Sequence, residues 1–108
     1  MLGRLLIRER LDTALTLAAD TGMRVYDAEL LRLRAQTHTD GAARRADLAA
    51  AFDVARRQHA TLFELRAALD DFELRGHRAR AALVDAASRV PSGYVWPELV
   101  RTRTALCD

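Results

Sequence analysis

Lysine is missing altogether from this chain of 108 residues, so all seventeen of its basic side chains are arginine. The chain has one cysteine, two prolines, five glycines and six aromatic residues, three of them Phe. The lone cysteine, Cys107, excludes an internal disulfide and offers no metal-ligand spacing. With so few prolines and glycines, the chain has little material for long loops. Scarce aromatic and β-branched residues leave equally little for strands. The apolar N-terminal run MLGRLLIRERL is broken by Arg4, Arg8, Glu9 and Arg10, and so reads as neither a signal peptide nor a membrane span. The expected setting is the reducing cytoplasm, with no membrane partner.

Half of the residues are apolar, enough for one modest core and too many for a disordered chain. Most of that apolar content is Ala and Leu, which together with Arg and Glu favour helix. The expected fold class is all-α. Arginine without lysine, beside abundant alanine, reads as the codon usage of a GC-rich bacterial genome. Seventeen basic against fifteen acidic residues give a net charge of only +2, with the signs mixed along the chain. A nucleic-acid module would gather its positive charge on one element. Arg44-Arg45 and Arg56-Arg57 instead sit at opposite ends of one predicted helix.

Apolar spacing of three and four residues predicts helices over about 5–20, 24–38, 42–58, 61–75, 78–89 and 97–106. The predicted apolar faces are Leu11, Leu15 and Ala18; Tyr26, Leu30, Leu33 and Thr37; Leu48, Phe52 and Ala55; Leu65, Leu69 and Phe72; and Ala79, Leu83 and Ala86. Thr21-Gly22, THTDG at 37–41, Gly76 and PSG at 91–93 supply the stops. Thr61 with Glu64 three residues later reads as a capping box for the fourth helix. Six helices on short links are expected to pack as antiparallel neighbours.

ELLRLRA at 29–35 and ELVRTRT at 98–104 nearly repeat each other. Adding Glu64-Leu65 gives three Glu-Leu pairs, at 29, 64 and 98, which are 35 and 34 residues apart. The intervening helices echo one another at 11, 48 and 79, intervals of 37 and 31. Both patterns straddle about 34 residues, the length of a tetratricopeptide helix-turn-helix repeat. The expected architecture is therefore a short tetratricopeptide-like α-solenoid, one domain over residues 1–108. The Trp and Tyr of the usual first-helix consensus are missing, and only Pro91 stands where a closing proline is expected.

The run LDTALTLAADTGMRVYDAELLRLRAQ (11–36) resembles the C-terminal helical-repeat region of large bacterial signal-transduction ATPases. The matching features are Ala14-Leu15, Thr21-Gly22, Ala28-Glu29-Leu30 and Arg32-Leu33-Arg34. AFDVARRQHATLFELRAA (51–68) is similar to the following repeat, and PELVRTRTAL (97–106) to the terminal helix. Ala35 departs from the glycine common there, and the family's nucleotide-binding and output domains (adenylate-cyclase-like or LuxR-type) have no counterpart in this sequence. The resemblance implies a protein-interaction scaffold, the repeat region or a remnant of a transcriptional or signalling regulator. The alternative function is a helical nucleic-acid-binding protein using its surface arginines.

Groove candidates are Glu29, Arg32, Arg34, Glu64 and Arg101, charges that would grip a peptide if the repeats line a concave face. Glu29/Arg32 and Glu98/Arg101 are three apart, so plain intrahelical ion pairs are the favoured reading of them. Tyr94, in the SGYVW loop at 92–96, is a candidate anchor for a partner, whereas Trp96 is expected to plug the gap between helices. Leu2, Leu5, Leu6 and Ile7 make the first helix too apolar for a solenoid cap. They form the candidate interface of a homodimer, or with the rest of a larger regulator. Asp70, Asp71 and Glu73 read as a solvated or Arg-paired face, and His38, His59 and His77 as helix-end residues. There is no glycine-rich phosphate loop, nucleophile elbow or Cys/His zinc spacing. No catalytic residue, metal or cofactor is expected, and the chain is not expected to be an enzyme.

Overall fold

Links of three to eight residues join successive helices. The computed structural model describes residues 2–107. In order these are α1 (Leu2–Thr21), α2 (Asp27–Ala35), α3 (Gly41–Arg57), α4 (Thr61–Arg75), a 3₁₀ turn (Gly76–Ala79), α5 (Arg80–Ser88) and α6 (Pro97–Cys107). The fold is all-helical, with no strand among the described residues. None of these helices is long and apolar enough to cross a membrane. Each helix packs on the next, and in addition α2 touches α4 and α4 touches α6.

The centre of the core is Leu65, Ala68 and Leu69 of α4 against Leu83 and Ala86 of α5. Phe52, Phe72, Val90, Trp96, Leu99 and Leu106 close around it. Ala51, Ala55 and Ala86 are fully buried, and such small side chains let the helix backbones approach closely. Truncating a residue such as Leu65 or Leu83, both fully buried, would cost about 2–5 kcal/mol. The expected faces of α3, α4 and α5 therefore lie inside.

The face expected for the second helix lies inside only in part. Thr37 is buried and Leu30 half-buried, but Tyr26 is 63% and Leu33 36% exposed, and the other buried residues are Ala28 and Ala35. This helix is enclosed on several sides by α1, α3 and α4, and alanine rather than leucine fits the close approach. It is also shorter than the periodicity implied. Gly22, at φ +76°, turns the chain, and Arg24 accepts from the Asp27 amide in a reverse turn before the helix begins. At the other end the Gln36, Thr37 and His38 amides bond three residues back, to Leu33, Arg34 and Ala35, tightening the last turn.

The fourth helix has no capping box. Ala60 occupies the N-cap with no side-chain hydrogen bond, Thr61 is the first helical residue, and Glu64 is buried. By contrast Asp40 caps α3, its carboxylate accepting from the Ala42 and Ala43 amides.

At the end of α3, His59 takes the left-handed conformation, with φ +56°. The Ala60 amide donates to Ala55 at 2.9 Å and the His59 amide to Arg56 at 3.2 Å, the paired bonds of a Schellman turn. Glycine adopts this conformation without the Cβ clash that L residues meet. His59→Gly is expected to stabilise the fold by about 1 kcal/mol in thermal or urea unfolding. An unchanged or lower stability would contradict this account of the turn.

Candidate functional site

Besides its sequence neighbours, α4 touches both α2 and α6, and charged side chains of these three helices meet one another. Arg66 of α4 exploits this. Its Nη1 donates to Glu29 Oε2 of α2 at 2.7 Å, and its Nε to Glu98 Oε2 of α6 at 3.0 Å. One turn further along, Arg32 Nη1 of α2 donates to Asp70 Oδ2 of α4 at 2.9 Å. Arg101 of α6 reaches Glu73 of α4 at 3.3 Å. Arg32 also holds Glu29 through its Nε, at 2.6 Å. The result is a ladder of alternating charge across three helices.

The ladder is partly shielded from water: the side chains of Glu29, Glu98 and Asp70 are 18%, 13% and 15% exposed. Burial by itself would raise the pKa of Glu29, but the hydrogen bonds and charges of Arg32 and Arg66 outweigh it and hold the carboxyl below its ordinary value. Glu98 is lowered in the same way, burial being overcome chiefly by Arg66.

Arg34 belongs to a different cluster, which fastens α1 to α2 and α3. Its Nε and Nη2 form a fork on Asp47 at 3.0 and 2.8 Å, and its Nη1 reaches Asp12 of α1 at 2.9 Å. His38 Nε2 stands 2.8 Å from the same Asp47. Arg8 of α1 donates from its Nε to the Thr37 hydroxyl at 3.0 Å and from its Nη2 to the Thr37 carbonyl at 2.9 Å. Burial would raise Asp47, yet Arg34 and His38 together pull its pKa below the ordinary aspartate value. These are the groups that hold the first helix in place.

Glu64 is on neither face. It is 3% exposed, beneath α3 and α5, with Arg89 Nε 3.3 Å from its Oε2 but no hydrogen bond made by that oxygen. Burial raises its pKa, Asp85 adds to the rise, and Arg56 opposes it without prevailing. The equal spacing of Glu29, Glu64 and Glu98 therefore does not correspond to equal surroundings. Glu29 and Glu98 meet at Arg66, and Glu64 points elsewhere.

Tyr94 is 53% exposed and its ring lies 5.3 Å from that of Trp96, tilted by 44°. Both line an open apolar cleft of ≈ 390 Å³ with Phe63, Leu62 and Pro91. Trp96 is half-buried and packs on the core. Asp71 is taken by Arg75 of its own helix at 2.8 Å, and Asp70 by Arg32. Among the described residues no group of three or more His, Cys, Asp or Glu side chains converges as metal ligands.

Of the groove candidates, Glu29, Arg32 and Arg101 thus share one face, while Arg34, Glu64 and Tyr94 lie in three other places. The Glu29/Arg32 pair forms within its helix, but Glu98 and Arg101 part company, to Arg66 and Glu73. Arg66 and Asp47, the two central partners, are not apparent from a search for repeated residues. The signal was alternation of sign at matching heights, since side-by-side helices need opposite charges there. Comparison with known proteins finds no matching family model, no matching curated protein and no matching solved structure.

Arg66→Met would leave Glu29 and Glu98 without their shared partner, and a loss of about 2 kcal/mol in urea unfolding is expected. A loss of only a few tenths, typical of an exposed pair, would contradict the ladder's role. Glu64 behaves oppositely with pH. Its protonated form suits the buried site, so its stabilising contribution is full below the ordinary value of 4.5 and is lost as pH rises through the elevated folded value. Glu64→Gln should be more stable than the native chain at neutral pH by about 1 kcal/mol. That advantage should shrink on acidification through the same window. An advantage independent of pH would contradict it.

Proposed function

We propose that this chain is a non-catalytic protein-interaction scaffold, a short tetratricopeptide-like solenoid that associates with a second copy of itself or with the rest of a larger regulator. The repeat region, or a remnant, of a bacterial transcriptional or signalling regulator is the source that best fits the quoted resemblance. Helical hairpins in succession, with α2, α4 and α6 side by side, support a repeat architecture, as does the period of about 34 residues.

One observation carries the association. Leu5, Leu6 and Ile7 on α1 are 52%, 52% and 53% exposed, and among the described residues α1 packs only against α2. Successive helix residues turn by about 100°, so these three half-exposed side chains spread around much of the helix, and a partner that covers them would remove apolar surface from water. Leu2 begins the same helix, though its side chain lies outside the described residues. A second copy fits this face because an isologous contact pairs the same apolar residues with each other.

The alternative, phosphate binding by arginines, is less well supported. Arg32, Arg34, Arg56, Arg66, Arg75, Arg89 and Arg101 are in ion pairs with carboxylates, which reduces what they can offer to a nucleic acid.

Light scattering coupled to size exclusion tests the reading. The expected mass is twice the 12.0 kDa of one chain, falling to one chain in a Leu6→Glu, Ile7→Glu variant that keeps its helical circular dichroism. A native chain that runs as a folded monomer at high concentration would contradict self-association.

A further inference from the structure

Arg44, in the first turn of α3, stands apart from the other half-buried arginines. Its Nε is shielded from solvent and has no hydrogen-bond partner. Arg44 forms no ion pair among the described residues. Yet it lines a cavity of ≈ 450 Å³ together with Asp70 and Glu73, between the C-terminal parts of α2 and α4 and the start of α3. Gln36 lies on the same wall, and Ala35 and Leu48 give it an apolar floor.

The two carboxylates are engaged elsewhere to different degrees. Asp70 accepts from Arg32 at 2.9 Å and from Gln36 at 3.4 Å. Glu73 has only Arg101, at 3.3 Å, and its side chain is 71% exposed. The shielded Nε is closed to a ligand as it is to water, but Arg44 has no carboxylate partner for its terminal nitrogens among the described residues, and these are best satisfied by a planar carboxylate. An all-anionic ligand would meet Asp70 and Glu73, and an all-cationic one would meet Arg44. Helix C-terminal ends also favour a cation, and α2 and α4 both end here. A cavity of this volume falls in the range of small-molecule sites.

We propose that this cavity binds a small zwitterion of the α-amino acid class. Arg44 takes the carboxylate, Glu73 takes the ammonium group, and the side chain rests on Ala35 and Leu48. Such a ligand bridges α2, α3 and α4, so its binding stabilises the folded chain. The proposal is independent of whether the chain self-associates.

The test is a titration of the native protein with each standard L-amino acid, following the amide resonances of Gln36 and Leu48. At least one is expected to give saturable shifts. Its amidated and N-acetylated forms, each lacking one charge, are expected to bind about tenfold more weakly or worse. Arg44→Gln and Glu73→Gln, checked for native circular dichroism, should each weaken the same amino acid by about tenfold. Glu73 is exposed, so its variant keeps the test open if the Arg44 variant fails to fold. Absence of shifts for every amino acid at about 10 mM, equal binding of the blocked forms, or full affinity in a folded variant would overturn the proposal.

Discussion

Arg66 stands between two carboxylates from helices on either side of its own, and this two-sided engagement sets the arrangement of α2, α4 and α6. A guanidinium has a fixed fork of donors, so it can meet Glu29 through one nitrogen and Glu98 through another only if both helices present their first turns at its height. The Arg32–Asp70 and Arg101–Glu73 pairs repeat the constraint one turn along. Because the Arg66 and Arg32 pairs are partly shielded, they resist screening better than the exposed Arg101–Glu73 pair does, and removing one partner strands the other.

The apolar core complements this ladder without duplicating it. Leu65 and Leu83 fill volume, while Ala51, Ala55 and Ala86 let the helices come close. Such packing is permissive: alanine against alanine fixes distance but not the height of one helix on its neighbour. The charge pairs add that specification, on one face through Arg66 and at the α1 junction through the Arg34–Asp47–Asp12 cluster. Glu64 is the exception, a buried acid whose surroundings disfavour its charge.

Helix type, and the faces of α3, α4 and α5, were legible in the sequence because period and stops agreed there: Leu48, Leu65, Leu69, Leu83 and Ala86 are all buried. The face of α2 was read only in part, because a helix enclosed on several sides has no broad apolar stripe; Thr37 is buried as expected, but the other buried residues are alanines, and Tyr26 and Leu33 are left outside. The Thr61–Glu64 capping box was misread because burial drew Glu64 inward. For the candidate site, equal spacing of glutamates was visible, but which faces they occupy was not. Each residue along a helix turns the side chain by about 100°, so Glu64 and Arg66, two residues apart, point to nearly opposite sides and meet different neighbours.

Glu29 and Glu98 are on different helices, and the short bonds that join them both run through Arg66. The most direct test is a double-mutant cycle of Glu29→Gln and Glu98→Gln, measured by urea unfolding in the native background and again with Arg66→Met. Removing the first carboxylate changes what the second can gain from the shared guanidinium, so coupling of about 0.5–1 kcal/mol is expected with Arg66 present and none without it. Additive effects in both backgrounds would contradict the account, and so would coupling that survives the loss of Arg66.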